Sequence, residues 1–163
     1  MVKKNSISIC ILRLSSIGDV THIIPIISSI RNAYQNSKIT WVIGKTEYEL
    51  VKNLKDIDFI LVDKRSTINS LVDMRNSFKN RNFDIVFHMQ KSLRSKLIAN
   101  IIKGKINVTF NDIDTQGSHV LDHFFAFLDK VNIKKRILDW QVESIVSKHN
   151  EYLKDCLLYT SDA

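Results

Sequence analysis

Ser6-Ile7-Ser8-Ile9-Cys10-Ile11-Leu12-Arg13-Leu14 is a nearly continuous apolar, β-branched run that stops at the turn-like Ser15-Ser16-Ile17-Gly18. Apolar side chains at both parities mean a strand buried on both faces, the pattern of the interior of a parallel sheet. The same grammar repeats outward from this run. A helix is expected from about Pro25 to Tyr34, with Pro25 in its first turn because proline has no amide hydrogen to donate. Lys38 to Ile43 reads as a second strand closed by Gly44, followed by a helix over Thr46 to Leu54. Asp58 to Val62 is a third strand, and Ser66 to Lys79 a helix with Ser66 as N-cap. Phe83 to Phe87 and Lys105 to Phe110 are further strands, leading into helices from about Ser92 to Ile102 and from Ser118 to Val131. Strand-then-helix units in unbroken succession predict an α/β fold, a doubly wound, Rossmann-like parallel sheet. Ligands of such sheets bind beyond the carboxyl ends of the strands. Chemistry is therefore expected after Leu14, Val62, Phe87 and Phe110.

Composition narrows the function classes. The chain has 163 residues, 44% hydrophobic and 25% charged, as an ordinary globular domain does. Its apolar stretches, such as Ile23 to Ile27, are too short to span a bilayer. The N-terminal run lacks a small-residue cleavage site and leads straight into a motif, so a cytoplasmic location is expected. Cys10 reads as a buried thiol, and the absence of CxxC or Cys/His spacing argues against a disulfide framework or a zinc site. The net charge of +7 is spread along the chain. It fits a solvated basic surface or an anionic partner: a phosphorylated substrate, an acidic membrane face or a nucleic acid. No recognition motif, basic stripe or interleaved exposed aromatics support the last, and no nucleic acid is expected.

The segment Arg13-Leu14-Ser15-Ser16-Ile17-Gly18-Asp19-Val20-Thr21-His22 is neither a GxGxxG fingerprint nor a GxxxxGK[ST] loop. It offers small hydroxyls, a glycine, a carboxylate and an imidazole. Two readings stand: Asp19 points into a cleft from the strand's carboxyl edge, or Asp19 caps a helical turn while His22 packs on the sheet. Gly18 is expected to allow a sharp turn and a close approach of substrate. Asp63-Lys64-Arg65 and His88-Met89-Gln90-Lys91-Ser92-Leu93-Arg94 should share the rim with Asp19. His119 and His123 lie one helical turn apart with Asp122 between them, but no third metal ligand is placed, which favours capping or surface roles. Phe124, Phe125, Phe127 and Leu128 are expected to face the core.

ILRLSSIGDVTHIIPIISSIR resembles the opening of the ADP-heptose:lipopolysaccharide heptosyltransferases, glycosyltransferase family 9. The likeness continues through KITWVIGKTEYELV, NFDIVFHMQKSLRSKLIA and SHVLDHFFAFLDKV, roughly residues 6 to 140. It implies the N-terminal, acceptor-side half of a GT-B enzyme that transfers a heptosyl group with inversion to a Kdo-lipid A acceptor, without metal or cofactor. The sugar nucleotide, ADP-heptose, would be a substrate held mostly by a second domain. By the same resemblance Asp19 is the catalytic base that takes the acceptor hydroxyl's proton, and partial burial is expected to raise its pKa toward a useful value. Ser15, Ser16 and Gly18 would shape the loop around the reacting hydroxyl, and His22 would bond the carboxylate or substrate, or pack. Lys64, Arg65, Lys91 and Arg94 would hold the acceptor's carboxylate and phosphates, and Gln90 its sugar hydroxyls.

The chain departs from the family pattern in two places. Asn111 to Gly117 is shorter than the arginine-bearing loop of the family, so either the grip on the acceptor is weaker on that side or the acceptor differs. The expected organisation is an acceptor-side domain over 1–139, the start of an inter-domain connection over 140–155, and a tail over 156–163. That tail resembles a translated library adapter and is expected to be non-native, with the donor domain missing. Peripheral contact with the inner membrane is compatible with the lipid acceptor. The competing reading is a stand-alone flavodoxin-like binding or regulatory module; the single acidic residue after the first strand, beside basic Arg13, weighs against it.

Overall fold

The computed structural model describes residues 6–63, 69–115 and 119–142. Its strands are β1 (Ser8–Leu12), β2 (Lys38–Gly44), β3 (Ile57–Val62), β4 (Phe83–His88) and β5 (Gly104–Thr109). Its helices are α1 (Ile17–Thr21), α2 (Ile23–Ala33), α3 (Lys45–Val51), α4 (Asn69–Phe78), α5 (Leu93–Ala99) and α6 (Val120–Asp129), with a 3-10 turn at Phe110–Asp112. Every expected strand and helix is present, with ends displaced by a few residues. The short α1 is the addition: the segment expected to be a loop coils into one helical turn that carries Gly18 and Asp19. Lys64, Arg65 and Ser66, and the connection and tail from residue 143 onward, lie outside the described residues.

The strands form one parallel sheet in the order β3-β2-β1-β4-β5. β1 lies at its centre, with Ile11 opposite Trp41 on one side and Phe87 on the other. Its unbroken apolar sequence is the direct cause. Ile9 and Ile11 enter one core with α2 and α6, while Cys10 and Leu12 enter the other with Met74, Phe78 and Ile98. Full burial of each such aliphatic side chain contributes about 1.5–3 kcal/mol, so a central strand has no polar face to spare. Pro25 falls in the first turn of α2, where no intrahelical donor is lost. Cys10 is a buried free thiol whose pKa is driven upward by desolvation, so it is inert.

The chain leaves β1 toward β2 and β3, then returns to β4 on the other side. The loops after β1 and β4 therefore diverge and leave a crevice between them, at the switch point of the sheet.

Candidate active site at the switch point

The crevice floor is stitched by backbone bonds that run past the strand ends. Arg13 N donates to Val42 O (3.1 Å), Gly44 N to Leu14 O (3.1 Å), and Met89 N to Leu12 O (3.0 Å). Gln90 closes the stitch with its side chain. Its Oε1 accepts from Leu14 N at 2.7 Å, and its Nε2 donates to Ser15 Oγ at 3.2 Å. The amide expected to meet sugar hydroxyls thus braces the β1 loop against the β4 loop, with one N–H left over.

Arg13 rises from this floor and is only 11% exposed along its side chain. Its guanidinium donates to Met89 O and to Asp19 Oδ2, and it lies over the Phe124 ring at 5.3 Å from the centroid. Asp19 sits in the first turn of α1, where a carboxylate also favours the helix dipole. Besides Arg13, Ser16 N (3.3 Å) and Ser16 Oγ (3.0 Å) donate to the same Oδ2. Among the described residues, all of these bonds go to Oδ2 and none to Oδ1. One oxygen of Asp19 thus secures the loop in a cap-like arrangement, and the side chain keeps 29% exposure.

The electrostatics reverse the expected direction of the Asp19 shift. Burial taken alone would raise its pKa, but the Arg13 charge and the Ser16 bonds outweigh burial and hold it below the ordinary carboxylate value. Gly18 is also different from expectation. It is part of α1 rather than a sharp turn, and a Cβ built there would meet nothing within 4 Å. Glycine here leaves open space beside Asp19 without being needed for the backbone path.

His22 occupies the junction of α1 and α2. It packs against Phe124 (6.1 Å between ring centroids), Trp140 (5.7 Å) and His119 (6.4 Å), and its buried Nδ1 has no hydrogen-bond partner. Burial first, then the nearby His119 and Arg13, lower its pKa, with Asp19 and the Gly18 carbonyl acting the other way. No hydrogen bond joins His22 to Asp19 among the described residues; packing is its observed role. His119 caps α6, its Nδ1 accepting from Leu121 N at 3.3 Å.

Along the β4 side, His88 Nε2 meets Ser95 Oγ at 2.9 Å. Lys91 is exposed, with Nζ 4.9 Å from the Phe110 ring centroid, and Arg94 is exposed in the first turn of α5. The structure thus draws Ser15, Ser16, Asp19 and Gln90 together and leaves His22, Lys91 and Arg94 around them. Reading the sequence for sites missed Arg13, Phe124 and Trp140. A signal for Arg13 existed, since it is the one charged residue in the apolar run from Ser6 to Leu14. Phe124 and Trp140 carry no such mark.

No family model matches the chain. Among curated proteins, the lipopolysaccharide core heptosyltransferase OpsX of Haemophilus influenzae is 30% identical over 150 residues, covering 83% of this chain and 43% of that protein. Among solved structures, E. coli heptosyltransferase WaaC with ADP-2-deoxy-2-fluoro heptose superposes with a TM-score of 0.68 at 17% identity, over 83% of this chain and 52% of that one. The glycosyl transferase family 9 protein of Veillonella parvula gives 0.69 at 22% identity, over 78% of this chain and 42% of that one. The chain thus spans about half the length of the relatives it matches. The solved structures share the parallel α/β sheet described above, and over the stretch shared with the curated relative this chain belongs to the glycosyltransferase family 9 heptosyltransferases.

Proposed function

We propose that this chain is the acceptor-side half of an inverting heptosyltransferase, with Asp19 as the base that removes the acceptor hydroxyl's proton. The supporting observation is the division of labour within one carboxylate. Oδ2 is held by Arg13 and Ser16, which fixes the side chain, and the Asp19 Oδ1 is left for a substrate hydroxyl. Pairing with Arg13 keeps the group ionised at neutral pH, the form a base needs. A low pKa makes it a weak base in the ground state. The hydroxyl becomes acidic only as it bonds to the electron-poor anomeric carbon, so proton transfer falls late and needs little driving force beforehand. The departing nucleoside diphosphate is a stable anion and requires no acid from this chain.

The donor in this reading is ADP-heptose, held mainly by a second domain, and the acceptor is Kdo-lipid A or a close analogue. Lys91 and Arg94 lie on the β4 side of the crevice and suit its carboxylate and phosphate groups. Lys64 and Arg65, given the same role by the resemblance, lie outside the described residues. Calorimetric titration of the chain with a Kdo-lipid A fragment should give binding that weakens on Arg94→Ala. In an enzyme carrying both halves, Asp19→Asn should cut turnover on the order of a hundredfold to ten-thousandfold while ADP-heptose binding persists. Undiminished turnover would remove Asp19 from the role of base.

A further inference from the structure

Helix α5 is amphipathic on its buried side and anomalous on its outer side. Ser95 and Ile98, three residues apart, face the core at 0% and 1% exposure. Leu93 and Leu97, four apart, are 81% and 54% exposed. At 3.6 residues per turn they stand about 160° and about 200° round the helix from Ser95, opposite the core face. Two leucines thus hold the crest of a solvent-facing helix, flanked by exposed Arg94 and Lys96, with Lys91 before the helix and Lys103 after it. From Ile85 to Asn111 the sequence has five basic residues and no acidic one.

We propose that the outer face of α5 is a docking surface for an anionic lipid bilayer. Leucines that enter the acyl boundary between cations that stay at the headgroups are the pattern of an interfacial helix. A second copy of this chain fits worse. An isologous contact would bring Lys96 against its own duplicate, and the sequence from Ile85 to Asn111 supplies no acidic residue to offset it. The position of α5 adds to the case. Leu93 begins the helix directly after the Met89–Ser92 loop, whose Gln90 and Met89 are tied to the Asp19 loop. A bilayer on this face would lie beside the mouth of the crevice, where an acceptor still anchored in lipid could reach Asp19. That last point rests on the proposed function; the docking itself does not.

The test is co-sedimentation of this chain with vesicles of phosphatidylethanolamine and phosphatidylglycerol at low ionic strength. The double variant Leu93→Ser/Leu97→Ser should weaken partitioning about tenfold, and Lys96→Glu about fivefold, with added salt acting in the same direction. Circular dichroism checks that each variant keeps its fold. Binding should be much weaker on phosphatidylcholine vesicles. The proposal is overturned by no sedimentation with anionic vesicles, by equal binding to neutral ones, or by variants that bind like the parent. A leucine-dependent dimer in analytical ultracentrifugation, with no lipid binding, would overturn it in favour of self-association. Vesicle binding that persists while the Kdo-lipid A fragment fails to bind would sink the functional reading and leave this one standing.

Discussion

Arg13 and Asp19 are the residues on which the site's state depends. The folded Asp19 has a depressed pKa, so its ionised pair is fully present above the unfolded value of 3.8 and is lost as pH falls through the lower folded value. Arg13→Met keeps the stem over Phe124 but deletes the charge. Carbon-13 NMR titration of the Asp19 carboxyl should then show its pKa moved up, and thermal unfolding should show a loss of about 1–3 kcal/mol at neutral pH. An unmoved titration would mean that the Ser16 bonds alone set the carboxylate's state. His22 works at a higher pH. Its pKa is also lowered, so its contribution is present above 6.5 and declines below that as protonation drives the ring out of its aromatic packing. His88 shifts the same way through burial, so His22→Gln should flatten the decline in melting temperature below 6.5 only in part. The residues of the site were unequally legible beforehand. Ser15, Ser16, Gly18 and Asp19 announce themselves because small and acidic residues interrupt an apolar run. Phe124 and Trp140 do not, because an aromatic residue from a distant helix or strap looks like any core residue until the fold brings it to the loop.

The strands and helices were legible because their periodicities are set by burial. β1 is apolar at both parities since it has neighbours and helices on every side, and α6 shows Phe124, Phe125, Phe127 and Leu128 buried at helical spacing. Helix α1 was not legible: one turn is too short for a period to develop, and Gly18 argues against a helix by propensity. Its Ser16 and Asp19 make the carboxylate half of a capping box, a local signal that the larger α2 obscures. Two substitutions probe how elements are joined. Gln90→Leu would leave Leu14 N without its 2.7 Å acceptor, and the two loops of the crevice should part at a cost of about 1–3 kcal/mol. Faster amide exchange at Leu14 measures that parting directly. At the start of β5, a Cβ on Gly104 would stand 2.5 Å from Val86 Cγ2 and 2.8 Å from Asn107 Oδ1. Gly104→Ala should therefore force β5 away from β4 and cost about 1–3 kcal/mol in urea unfolding, with most of the effect on the edge strand. A neutral result would show that the edge yields freely.

At the scale of the molecule, the segment after α6 returns across the sheet's helical layer and closes the back of the site. Ser29, fully buried in α2, donates to Pro25 O (2.8 Å) and accepts from Ile137 N (2.8 Å). Ser28 Oγ donates to Asp139 O (3.2 Å) and takes a bond from Gln141 Nε2 (3.1 Å). These bonds deliver Trp140 to His22, so the strap reaches the rim that carries Asp19. The expected acceptor-side span ends at residue 139, and hydrogen bonds to α2 continue through Gln141. Periodicity along the chain has no means of seeing bonds made by two serines over a hundred residues away. Ser29→Ala tests whether the strap is a coupled part of the fold. It strands the Ile137 amide at a loss of about 1–2 kcal/mol. Because Trp41 is fully buried in the sheet, any new solvent exposure of tryptophan must come from Trp140. Fluorescence should shift to longer wavelength and become open to iodide quenching. If emission stays put while stability drops, the strap is held by Ser28 and ring packing instead, and the Ser29 bond serves only the helix beneath it.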